Sequence, residues 1–250
     1  MKYGMPTLLE FTSIEENINF AKENNLDFIE LNMNLPYCFN LAENSLTKYN
    51  YLFTMHISEE LNIGELNENI RKKYLEEIIR QINLGISNNI KKYTIHLNSG
   101  IYFTLPNGKS FLNNKYLDLY KEQIQKSADE LNKIATENNI NINFENTKLE
   151  EFTKVAINII KDYSNLGFTL DIGHNEKNKN LAYPLFVKTN KIKHIHMHDY
   201  DLKNDHLPLG KGQIDFSKYT DVLKNNYVVI EIKETKELLE SIDYIKNRLN

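Results

Sequence analysis

The chain has 250 residues, 41% hydrophobic and 26% charged, and its 34 acidic against 30 basic side chains leave a formal net charge of −4. That length buries a sizeable core, while the acidic balance and the scarcity of arginine (Arg71, Arg80 and Arg248) argue against a protein that neutralises a nucleic-acid backbone. One cysteine, Cys38, excludes an intramolecular disulfide framework, and no apolar run approaches the length of a membrane span.

Residues 1–6 do not open as a signal peptide, so the expectation is a cytoplasmic chain with no membrane partner. Short β-branched or aromatic runs then alternate with amphipathic stretches. The pattern predicts strands at residues 3–5, 28–31, 52–57, 93–97, 140–145, 168–171, 192–197 and 227–232. Pro6 and Gly4 make the first of these weak. Between them, Ser13 and Glu16 have capping-box spacing before a helix whose apolar face carries Ile14, Ile18 and Ala21. Further apolar stripes run through Leu75, Ile78, Ile79, Ile82 and Ile86, and through Ile124, Ala128, Leu131 and Ala135. Others follow through Val155, Ile159 and Ile160, and through Leu238, Leu239, Ile242 and Ile245. The segments after the third, sixth and seventh strands mix loop with short helix. Eight strand–helix units in a chain of this size predict an α/β fold, a (β/α)8 barrel in one domain spanning residues 1–250. A doubly wound sheet would carry a glycine-rich turn after its first strand, and residues 6–9 have none.

The chemistry collects at the carboxyl ends of the strands. From the second strand onward these ends carry Glu30, His56, His96, Glu145, Asp171, His196 and Glu231. A parallel barrel gathers all of them on one face, the face that holds active sites. Carboxylates converging there would repel one another out of water, and a divalent cation resolves the conflict. Carboxylate and imidazole donors suit Mn²⁺, Co²⁺, Zn²⁺ or Mg²⁺. His174 lies three residues past Asp171, and His206 sits in a loop after the seventh strand, both within reach of the same pocket. In His194-Ile195-His196-Met197-His198 alternate residues share a face, so all three imidazoles can point inward; His194 and His198 are read as supporting or surface residues. The long aromatic-rich segment at 98–111 is expected to form a lid over the pocket, with Lys109 contacting a substrate phosphate.

These pieces, with Phe144-Glu145-Asn146, Leu170-Asp171-Ile172-Gly173-His174, Ile195-His196-Met197-His198-Asp199, residues 206–216 and Ile230-Glu231, resemble in order the xylose isomerase-like barrel superfamily. That superfamily contains sugar phosphate isomerases and epimerases and the endonuclease IV-like (AP endonuclease family 2) enzymes. The resemblance implies a metal site of Glu145, Asp171, His196 and Glu231, with Glu145 and Glu231 also the catalytic acid/base pair. The implied activity is metal-dependent isomerisation or epimerisation of a small sugar or sugar phosphate through an enediolate; independently, the strand-end Glu30 and the loop Lys109 are the expected substrate contacts. The endonuclease IV-like alternative, a phosphodiesterase at abasic DNA sites, implies a multinuclear zinc site with His56, His96, His174 and His206 as further ligands. In its loop Asn204 stands where that group commonly has an aspartate, and Asp205 is adjacent to His206. No oligomer seam can be read from the sequence.

Overall fold

A computed structural model describes residues 1–40, 45–98 and 100–248. Eight parallel strands close into a barrel: β1 (Lys2–Pro6), β2 (Phe28–Asn32), β3 (Leu52–His56), β4 (Lys92–Leu97), β7 (Asn141–Asn146), β8 (Leu166–Asp171), β9 (Ile192–Met197) and β10 (Tyr227–Ile230), with β10 returning to pair with β1. All eight lie where the β-branched runs predict them. The first is a full strand that pairs with both neighbours despite Gly4 and Pro6. Gly4 is needed because a Cβ there would sit 2.6 Å from the Phe28 ring, which fills the base of the barrel.

Strand alternation divides the side chains. Ile29, Leu31, Met55, Ile95, Phe144, Leu170, Ile195 and Met197 join the hydrophobic core beneath the helices. Glu30, Thr54, His194 and His196 instead contact one another across the interior, as do Thr94 and Thr169. The β8–β9 pairing slips between Phe168 and Thr169, so Lys193 has no partner and Thr169 faces His194. The slip has a functional consequence. One extra residue reverses which face a strand presents, and here it aligns Asp171 with His196.

The Ser13–Glu16 capping box forms, opening α1 (Ile14–Glu23). Long helices α3 (Glu68–Ser87) and α5 (Leu117–Asn138) follow their strands, and α6 (Glu151–Ile160) and α10 (Thr235–Arg248) cover the later part of the barrel. Two apolar stripes are rotated from the predicted ones. On α6 the buried face is Phe152, Ala156, Ile157 and Ile160, and on α10 Leu239 is 40% exposed while Ser241 is buried beside Ile242. The helical layer is uneven: α2 (Pro36–Phe39) is one turn, and β9 is followed by a long loop before a 3₁₀ turn (Phe216–Tyr219) and α9 (Thr220–Leu223). Short helices α7 (Ile172–Lys177) and α8 (Ala182–Thr189) follow β8. Among the described residues no helix is long and apolar enough to cross a membrane.

The segment expected to be a lid is an antiparallel hairpin, β5 (Tyr102–Leu105) with β6 (Gly108–Phe111), leading into α4 (Leu112–Lys115). Ser99 lies outside the described residues.

Candidate metal centre

Register brings the acids and imidazoles together in pairs. His96 on β4 lies beside Glu145 on β7, and Asp171 on β8 lies beside His196 on β9. Glu231 follows the end of β10, its backbone N–H donating to Met197 O. The four residues expected to hold a metal converge: ligand atoms of Glu145, Asp171, His196 and Glu231 all lie within 4.8 Å of one another. His196 Nδ1 is 3.1 Å from Glu145 Oε1 and 3.4 Å from Glu231 Oε2.

The electrostatics are those of a cation site. Burial pushes Glu145 up, but the charges on His196 and His96 outweigh it and hold the carboxyl well below its usual range. Glu231 is likewise lowered against its burial, by the His196 and His206 imidazoles beside it. The same carboxylates overcome the desolvation of His196 and raise it well above an ordinary imidazole. Protons thus supply positive charge where carboxylates crowd. Two acid oxygens nevertheless stay unsatisfied: Asp171 Oδ2 and Glu231 Oε2 are buried without a hydrogen-bond partner among the described residues. Buried carboxylate oxygens without donors are what a bound cation would complete. The residues present therefore fit a divalent ion.

Two further groups adjoin this one. His56 Nε2 and His96 Nε2 approach Glu145 Oε2 at 3.1 and 3.4 Å, so Glu145 belongs to both sets. Burial opposes a charge on His56, yet the Glu145 hydrogen bond lifts it to about 9. On the other flank His174, His198 and His206 face one another, with His198 stacked on His206 at 4.0 Å. Asp205 lies 3.5–3.9 Å from all three rings, whereas the Asn204 amide turns away to Asp201. Asp205, and not Asn204, is thus the side chain of this loop that faces the three imidazoles.

His198 is the residue that sequence reasoning undervalued. It is fully buried, not at the surface, with Nε2 3.2 Å from Asp171 Oδ1. Burial disfavours its charge, but Asp171 outweighs this and raises it to about 9. His194 is equally buried, against Glu30. The signal was the alternation of the three histidines, which points all of them inward. Gly173 makes room for His198, since a Cβ there would lie 2.1 Å from the ring. Gly173→Ala is expected to cost about 1–3 kcal/mol and to weaken metal binding, read by thermal melts with and without zinc.

The loop carrying His206 is tied to the barrel by Asp199, whose carboxylate accepts the backbone N–H groups of Gly210, Gly212 and Ile214. His206 itself sits at φ +54°, a left-handed conformation that costs a non-glycine residue free energy. Its Nε2 reaches to 3.5 Å from Glu231 Oε1.

A cavity of about 360 Å³ opens above the centre, lined by residues including Glu10, Glu30, Asn32, His56, Glu59, His196, Glu231, Lys233 and Glu234. Glu231 is the member of the acid pair that faces it; Glu145 is 1% exposed and lies beneath. Glu30 lines the cavity, but its oxygens are engaged by His194, His196 and Thr54. Lys109 does not line it. Its ammonium rests 3.8 Å from the Tyr102 ring centroid on the hairpin, a cation–π contact. None of residues 100–111 lines this cavity, so the hairpin does not cover it.

The chain is similar to solved structures over nearly its whole length. A D-tagatose 3-epimerase-like protein superposes with a TM-score of 0.78 at 24% identity, covering 99% of this chain and 96% of that one. The 3-keto-D-glucoside 4-epimerase YcjR of E. coli gives 0.77 at 18% identity, with 98% of each chain covered. The IOLI protein with a bound zinc atom gives 0.73 at 15% identity, covering 100% of this chain and 98% of that one. The family model described as xylose isomerase-like TIM barrel matches residues 18–248, and the chain belongs to that family.

Proposed function

We propose that the protein is a metal-dependent sugar isomerase or epimerase that moves a proton between carbons next to a carbonyl. The observation that carries this reading is the convergence of Glu145, Asp171, His196 and Glu231 beneath a cavity of small-molecule size, with two acid oxygens left without donors. The epimerases among its structural neighbours and the zinc-bound IOLI protein support it.

Glu145, Asp171, His196 and Glu231 would hold a divalent ion, which would supply Lewis-acid polarisation of the substrate. Glu231, facing the cavity, takes the carbon-bound proton of the substrate, and Glu145 serves as its acid/base counterpart from below. His206, beside Glu231 Oε1, orients that carboxylate. The resulting enediolate is reprotonated at the neighbouring carbon (isomerisation) or on the opposite face (epimerisation).

The cavity also bears on substrate class. Glu10, Glu59 and Glu234 stand around it, with Lys233 the one basic residue apart from the histidines among the described lining residues. Added phosphate charge would meet repulsion, and Lys109 is not there to offset it. Free ketoses are therefore the preferred substrates over their phosphates.

The test is incubation of the purified, metal-loaded protein with a panel of ketoses and ketose phosphates in D₂O. Deuterium should enter one C–H position of a free ketose, with at least about tenfold lower kcat/KM for its phosphate. No uptake from any ketose would remove the proposal. A second reading, zinc phosphodiesterase action at abasic DNA sites, draws on the His56–His96–Glu145 and His174–His198–His206 groups. Three zinc ions per chain together with nicking of abasic duplex would favour it. The acidic cavity and the net charge of −4 favour the sugar substrate.

A further inference from the structure

Below the metal centre lies a fourth buried carboxylate that the proposed chemistry does not use. Glu30, on β2, is 3% exposed and faces β9 across the barrel. Its Oε2 accepts two hydrogen bonds, from His194 Nε2–H at 2.8 Å and from the Thr54 hydroxyl at 3.1 Å. Those donors fix the carboxylate. They leave Oε1 facing His196 Nε2 at 2.7 Å, a close contact off the ideal hydrogen-bond line.

Two lone pairs at that separation would repel, and an ionised carboxylate can only accept. Nε2 of His196 must therefore carry a hydrogen. The opposite nitrogen, Nδ1, points at Glu145 and Glu231. His196 is thus a bridge whose two nitrogens serve two carboxylate environments, one closed around Glu30 and one open to the cation site.

We propose that Glu30 is a positioning residue for the metal centre: anchored by His194 and Thr54, it keeps the hydrogen of His196 on Nε2 and so presents Nδ1 as the ligand nitrogen. Ligating histidines commonly donate their other N–H to a carboxylate, which fixes tautomer and ring orientation and strengthens the ligand. Glu30 suits this role because both its oxygens are already engaged by side chains. His194 acquires a role too: its Nε2–H, 2.8 Å from Oε2, holds the Glu30 carboxylate in place.

The inference rests on the metal-centre reading above, and the experiment separates the two. Zinc affinity of the full chain is measured by chelator competition for wild type and Glu30→Gln, alongside ¹⁵N spectra of the histidine side chains with and without zinc. The zinc-loaded wild type should show His196 protonated at Nε2 and metallated at Nδ1. Glu30→Gln should bind zinc about 10–100-fold more weakly and show mixed tautomers at His196. A metallated Nε2 in wild type overturns the inference without any variant, which covers the case in which Glu30→Gln does not fold. Unchanged affinity and tautomer in a folded Glu30→Gln also overturn it while leaving the metal centre standing. A wild type that binds no zinc overturns both.

Discussion

Glu231→Gln is expected to lower kcat/KM by at least about 10³-fold. The substitution removes a general base and weakens a metal ligand at once, while preserving shape. Glu231 is the member of the acid pair that faces the cavity, and its Oε2 is one of the unsatisfied oxygens of the cation site. His206→Ala, which removes only the ring beside Glu231 Oε1, should cost less, about tenfold, because the carboxylate stays in place. Steady-state kinetics combined with metal content per chain separates lost binding from lost chemistry. Activity of Glu231→Gln within tenfold of wild type, with metal bound, would exclude Glu231 as the proton acceptor.

Metal affinity is expected to fall steeply with acidity, about tenfold per pH unit for each proton displaced. The sign follows from the raised imidazoles. In the metal-free protein His196 is protonated well above the ordinary histidine range, and His56 up to about 9. An ion taking Nδ1 of His196 must expel its proton, so binding near neutrality releases at least one proton per ion. Titration calorimetry in buffers of different ionisation enthalpy reads this directly; binding with no proton release would show that the nitrogen was already free. The metal-free fold has the opposite slope. A histidine whose folded pKa lies above its unfolded value stabilises fully below about 6.5, and that contribution is lost as pH rises through about 9. The melting temperature without metal should therefore decline across this window, and zinc should reverse the trend.

Much of this centre was legible in the chain. Acidic and imidazole side chains at the ends of β-branched runs gave the barrel its reactive face, and Glu145, Asp171, His196 and Glu231 meet there. Period-two alternation also pointed His194, His196 and His198 inward. What alternation does not encode is depth. Whether an inward residue lies at the mouth or a layer below depends on strand stagger, which closure of the whole barrel sets. So the depth of two residues was not legible: His198, read as a supporting or surface residue, is buried beside Asp171, and Glu30, read as a substrate contact, lines the cavity with its oxygens already engaged by His194, His196 and Thr54. The β8–β9 slip was hidden for the same reason, since it shows only when two distant strands are paired. The hairpin at 102–111 carries Tyr102, Phe103 and Leu105 outward and buries Phe111, a pattern that period-two alternation in the sequence does not mark.

The way Asp199 gathers the amides of Gly210, Gly212 and Ile214 leaves its mark on how this family member can vary. The strap beyond β9 is buckled at its far end to the barrel itself. Its outer bend at residues 201–204, where Leu202 is 90% exposed, carries none of that fastening. Extra residues spliced in there would bulge into solvent and leave the histidine beyond them in register, so new specificity can be grafted at the rim without rebuilding the chemistry below.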